Sequence, residues 1–132
     1  MNTATLHQVE NKTARTFISF IEEFRKLNKE MQANQIALFL HVAAQPDLTI
    51  REYSQRADLG DGGTITRNLD ALSETRKINV KDPETGKLVP KLVDGYGLID
   101  LYEDAMDRRF KRVKLTARGV RVYNSLVQLL GS

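Results

Sequence analysis

The stretch Leu48–Glu74, LTIREYSQRADLGDGGTITRNLDALSE, sets the tightest limits on what this chain can fold into. Thr49 and Glu52 stand three residues apart, the spacing at which each side chain satisfies a backbone N–H at a helix start. Ile50, Tyr53 and Ala57 then recur at helical spacing. Gly60 suits a positive φ beyond that helix, having no Cβ to clash. Asp61 can cap a second helix, in which Ile65, Leu69 and Leu72 form a buried stripe at i, i+4 and i+7. Two short helices about a tight turn make a helix-turn-helix, whose second helix enters a DNA major groove.

A turn of about 100° per residue sets Gly63, Arg67, Asp70 and Ala71 on the outer face of that second helix, with Thr64, Thr66 and Asn68 on its flanks. Thr, Arg and Asn bond base edges or phosphates. Gly62 and Gly63 bare the backbone N–H groups at the helix start, where a phosphate can come close. The alternative, on this stretch alone, is an ordinary surface helix pair with a polar outer face.

A length of 132 residues points to one domain with its own core, small enough for a partner subunit to help. No apolar run approaches the ~20 residues that cross a bilayer, and no signal peptide is visible at the start. The expectation is a cytoplasmic protein with no membrane partner. Without cysteine there are no disulfides, thiol sensors or cysteine metal sites. His7 and His41 alone make no metal cluster, so neither metal nor cofactor is expected. The net charge of +3 is mild, but residues 104–121 hold Arg108, Arg109, Lys111, Arg112, Lys114, Arg118 and Arg121 against only Asp104 and Asp107. Such a basic patch is the footprint of a nucleic-acid contact, or else a solvated charge run.

Along the chain, the first few residues read as frayed. A helix over about 9–28 carries Phe17, Phe20, Ile21, Phe24 and Leu27 on one stripe, for packing within its domain or against a second subunit. Gln35–Ala44 is apolar around most of its circumference, a central buried helix that ends at Gln45-Pro46-Asp47. Strand-like pieces Ile78–Lys81 and Lys87–Val93 flank a turn at Asp82–Gly86, with Pro90 marking an edge or a loosely paired strand. A second hairpin follows, Gly97–Tyr102 and Phe110–Leu115, with Ile99, Leu101, Val113 and Leu115 facing inward. Its tip holds Asp107-Arg108-Arg109, where Asp107 can pin Arg109 by a bidentate ion pair. A hairpin with arginines at its tip, placed after a reading helix, has the layout of a wing that enters a narrow minor groove. Thr116 caps a last helix, about 117–130, with one stripe of Val120, Tyr123, Val127 and Leu130 and another of Val122, Leu126 and Leu129. That much apolar surface favours a homodimer over burial within one chain.

Four segments together resemble the MarR family of winged-helix transcriptional regulators. They are Asp47–Glu52, Thr64–Leu72, Gly97-Leu98-Ile99, and Asp107-Arg108-Arg109 through Val113-Lys114-Leu115-Thr116-Ala117-Arg118-Gly119. The likeness covers roughly residues 30–120. It implies a dimer built from terminal helices, reading helices in successive major grooves and wing arginines in flanking minor grooves. It sets Thr64, Thr66, Arg67 and Asn68 on the reading helix and Arg109 at the wing arginine. The chain departs from the family in an insertion at about 77–95, in one extra turn residue at Gly60 and in a short carboxy-terminal part. The residues do not locate the family's ligand pocket, and they leave any effector undefined.

The expected fold is therefore α+β, mainly α with a small β wing: a single winged helix-turn-helix domain over 1–132, whose terminal helices contribute to dimerisation. The expected function is a sequence-specific regulator of double-stranded DNA, a repressor acting as a homodimer. Its candidate DNA contacts are Thr49, Gly62, Gly63, Thr64, Thr66, Arg67 and Asn68 on the helices and Arg108, Arg109 and Lys111 on the wing. The alternative is a winged-helix module that binds protein in a replication or assembly complex. No Ser/His/acid arrangement is visible, and Asp100, Glu103, Asp104 and Asp107 read as solvated wing residues, so no enzyme activity is expected.

Overall fold

A computed structural model describes the backbone of residues 3–58 and 62–131, and the side chains of 11–58 and 63–131. Contacts divide the chain into two compact units, Met1–Met31 with Arg121–Ser132, and Gln32–Val120. No helix among the described residues is long and apolar enough to cross a membrane.

In the first unit, α1 spans Thr3–Arg25. It starts earlier than expected: residues from Thr3 onward are helical, not frayed. The run TATLHQVENK contains no glycine or proline to stop it. It also ends sooner, because the N–H groups of Leu27 and Asn28 both turn back onto the Phe24 carbonyl. The apolar stripe is divided. Phe24 is buried, whereas Phe17, Ile18 and Ile21 are 64%, 59% and 49% exposed. On α5, Ala117–Leu130, Leu126 is buried while Val127 and Leu130 are open.

The second unit holds the winged-helix core. Helix α2, Ala33–Ala44, is central and ends before Pro46, as expected, with Leu38, Phe39 and Val42 fully buried. Helix α3, Ile50–Arg56, opens on the Thr49–Glu52 box: the Glu52 N–H donates to Thr49 Oγ1 (3.3 Å), and the Thr49 N–H to Glu52 Oε1 (3.2 Å). The positive φ past this helix falls on Asp58, at 51°, a residue type that tolerates the left-handed region. Gly60 and Asp61, assigned the turn and the cap, lie outside the described residues.

Helix α4, Gly62–Leu72, buries Ile65, Leu69 and Leu72 as expected. It also buries Ala71 and Asn68, which the helical wheel placed on the outer face and its flank. The reason is a second neighbour. α4 packs on α2 and also on the strand that follows it, and Tyr96 donates its N–H to the Ala71 carbonyl. A helix held on two sides hides more than one stripe.

The insertion is a seven-pair antiparallel hairpin, β1 Thr75–Lys81 with β2 Leu88–Asp94, and Pro90 stands opposite Asn79. Its stem closes on the end of α4. The N–H groups of Gly95, Tyr96, Gly97 and Leu98 donate to the carbonyls of Glu74, Ala71, Ser73 and Leu72 at 2.8–3.0 Å, satisfying groups a helix end leaves orphaned. A Cβ on Gly95 would strike the Ser73 carbonyl. The chain thus leaves and re-enters at one point.

The wing pairs β3 Ile99–Glu103 with β4 Lys111–Leu115. A short bridge at Thr49 and Arg112 joins it to the entry of α3, reinforced by Asp47 N–H to Val113 O (2.8 Å) and Val113 N–H to Leu48 O (3.2 Å). Thr116 caps α5 through the Gly119 N–H (3.0 Å) and donates its hydroxyl to the Gly97 carbonyl (2.7 Å).

Candidate nucleic-acid interface

The interface is built on the second unit from α3, α4 and the wing. On α4, Gly63, Thr66 and Arg67 are exposed and Thr64 is half-buried, while Asn68 is turned inward and is not open to a groove. Gly62 begins the helix; its side-chain environment is outside the described residues. Thr49 is half-buried and already engaged as a cap. Of the candidates, then, Gly63, Thr66 and Arg67 present the open polar face.

At the wing tip, Arg109 donates to Asp107 from Nε, shared between Oδ1 (3.0 Å) and Oδ2 (3.3 Å), and from Nη2 to Oδ2 (2.7 Å), while the Arg109 N–H also donates to Asp107 Oδ1 (3.1 Å). The bidentate pair was expected from the spacing. It leaves the Arg109 side chain 83% exposed, its guanidinium carbon over the Phe110 ring, 5.8 Å from the centroid. The guanidinium hydrogen bond holds the Asp107 carboxyl below its ordinary range, and Arg109 is pushed up by the same bond. Arg108 and Lys111 are exposed at either side.

Arg112, part of the same basic run, serves a different purpose. Its Nε donates to Asp104 Oδ2 (2.5 Å) and its Nη1 to the Asp47 carbonyl (2.7 Å). Asp104 also accepts from the Met106 and Asp107 N–H groups, and its carboxyl is lowered chiefly by the Arg112 bond. Arg112 therefore stiffens the wing and ties it to the turn before α3. Tyr53, fully buried, completes this joint: its hydroxyl donates to the Gln45 carbonyl (2.7 Å) and accepts from the Leu48 N–H (3.1 Å). Helical spacing marks Tyr53 only as an apolar position and composition marks Arg112 only as charge, because the Tyr53 hydroxyl bonds lie in an irregular loop and the Asp47 partner of Arg112 is 65 residues away.

One concavity of about 560 Å³ gathers these parts. It is lined by Thr49, Ile50 and Arg51 from the start of α3, Ile65 from α4, and Arg109, Phe110 and Lys111 from the wing. The wing tip therefore sits beside the helix pair rather than on an opposite surface.

This is the MarR winged-helix fold. The chain superimposes on the crystal structure of MarR with a TM-score of 0.56 at 22% identity, over 96% of its length and 75% of MarR's. A MarR-like transcriptional regulator from Thermotoga maritima gives 0.60 at 20% identity, covering 100% of this chain and 77% of that one. A third likeness is to MepR of S. aureus, solved as a MepR–DNA complex, at 0.56 and 18% identity, over 97% and 80%. No protein-family model matches the sequence, and no curated protein does. The likeness to the MarR fold is one of structure.

Proposed function

We propose that this protein is a sequence-specific regulator of double-stranded DNA, acting as a homodimeric repressor. The observation that carries the reading is the shared concavity: Arg109 at the wing tip flanks the same helix pair whose second member exposes Thr66 and Arg67. The α4 face supplies groups for a major groove, and the exposed Arg109 suits the negative potential of a narrow minor groove. The MepR–DNA complex, on the same fold, supports this use of the surface. The Thermotoga maritima protein of this fold is named as a transcriptional regulator, and the reading here is likewise non-enzymatic. The open stripe of Phe17, Ile18 and Ile21 in the first unit supports a second copy as partner.

Binding to duplex DNA is expected to fall steeply with salt, because phosphate contacts release counterions. Arg109→Ala is expected to weaken binding by ~1–3 kcal/mol in a gel-shift titration without changing the thermal melt. Unchanged affinity would remove the wing from the interface. A second reading, a protein-binding module, is favoured by Leu88 and Leu92, exposed at 70% and 66% on the inserted hairpin. Failure to bind heparin or random duplex at low salt would select it.

A further inference from the structure

The inserted hairpin leaves and returns at the end of α4, and its stem stands beside the reading helix. Thr64 and Arg67 of α4 share one concave wall with Arg76 and Lys77 of β1, all within the second unit. Ile65, on another side of α4, lines the concavity shared with the wing. The helix is thus flanked by the wing on one side and by the hairpin stem on a second. Arg67 and Lys77 are exposed, Arg76 is half-buried, and none of the three is ion-paired among the described residues. One acid, Asp70, stands on that wall. Along the hairpin, Arg76, Lys77, Lys81, Lys87 and Lys91 outnumber Asp82, Glu84 and Asp94. Two of those acids sit at the far turn, where Asp82 Oδ1 accepts from the N–H groups of Glu84 (2.8 Å) and Thr85 (3.4 Å), and Asp94 stands opposite Thr75 at the stem. Lys77 and Lys81 occupy one face of β1, about 13 Å apart at ~3.3 Å per residue. Their cross-strand partners are the exposed Leu92 and Leu88, so lysine interrupts the apolar surface on that face. A cation run that joins the exposed arginine of the reading helix fits a polyanion better than an apolar protein surface.

We propose that the stem of the inserted hairpin is a further DNA contact, in which Arg76 and Lys77 bind phosphates of the backbone that borders the groove entered by α4, and Lys81 extends the contact along β1. Resting on the DNA reading above, this contact adds affinity and register rather than base choice, because phosphate contacts position a protein on a duplex without carrying sequence information. It gives the insertion a function: the wing and the stem hold the duplex from two sides of one reading helix.

The test measures binding of the full chain to a random-sequence duplex by fluorescence anisotropy over a salt series. Each phosphate contact contributes about 0.9 to the slope of log affinity against log salt. Arg76→Gln combined with Lys77→Gln is expected to make the slope shallower by about 1.8, the share of two contacts, and by the same amount on duplexes of different sequence. If that pair fails to fold, Lys77→Gln alone decides, because Lys77 is exposed, and its expected change is about 0.9. Lys12→Gln combined with Arg15→Gln removes the same charge from α1 and should leave the slope as it is. A wild-type slope in the hairpin variant would overturn the contact and return the lysine–leucine face to a protein partner. An equal change in the α1 variant, or a change confined to one duplex sequence, would also overturn it. A wild-type chain that binds no duplex at low salt would defeat the DNA reading itself, so the two failures are told apart.

Discussion

Tyr53 shows how much one side chain can organise. It enters the core as an apolar ring, yet its hydroxyl bonds the loop that leaves α2 and the residue that precedes the α3 cap. Tyr53→Phe keeps the ring and removes its hydrogen bonds to the part-buried Gln45 carbonyl and Leu48 N–H, so a loss of ~0.5–1.5 kcal/mol is expected in chemical denaturation. Tyr102 makes the complementary case at the base of the wing. Its hydroxyl donates to the Asp47 carboxylate, and that bond first, then burial, pushes its pKa up to about 12 from 10.0. The folded protein thus holds this proton more tightly than the unfolded chain. The stabilisation is complete below pH 10.0 and is lost as pH climbs toward 12. Ultraviolet titration should show late-ionising tyrosine, and Tyr102→Phe should remove one such group and flatten the alkaline loss of stability. Burial also pushes Tyr53 up, so one late group should remain in that variant.

Among elements, the inserted hairpin is the clearest lesson. Both ends of the β1–β2 pair meet at Glu74 and Gly95, joined by a 2.8 Å backbone bond, and the orphan carbonyls of α4 are satisfied by residues that follow the hairpin. Removing residues 75–94 and joining Glu74 to Gly95 should therefore leave α4 and the wing folded, with circular dichroism showing helix content retained. Loss of cooperative melting would mean that β1 is needed to pack α4. The sequence was sufficient to place this hairpin, its turn at Asp82–Gly86 and the wing, because alternation and turn residues are local signals. It could not reveal that α4 has neighbours on two sides. Asn68 and Ala71 were misplaced for that reason: a helical wheel gives angular positions, not the number of surfaces that close on them.

For the whole molecule, the apolar stripe of the first unit is the feature on which the proposed dimer rests. Phe17, Ile18 and Ile21 surround a hollow of about 290 Å³ whose rim carries Glu22 and Arg25. A second copy of this chain is the partner proposed to cover it. Phe17→Glu should shift the protein to a monomer in sedimentation and lower its DNA affinity, whereas a wild-type monomer at micromolar concentration would refute the dimer. The elements of the fold were legible in the order of residues: the Thr49–Glu52 box, the Ile65–Leu69–Leu72 stripe, the Asp107–Arg109 pair and the Thr116 cap all depend on partners within a few positions. What required the folded chain was the joint of Asp47, Tyr53, Tyr102 and Arg112, and the meeting of Gln35, Asn68 and Arg76 around one cavity. Those groups are brought together by packing between remote segments, and no local periodicity encodes which remote segment will arrive.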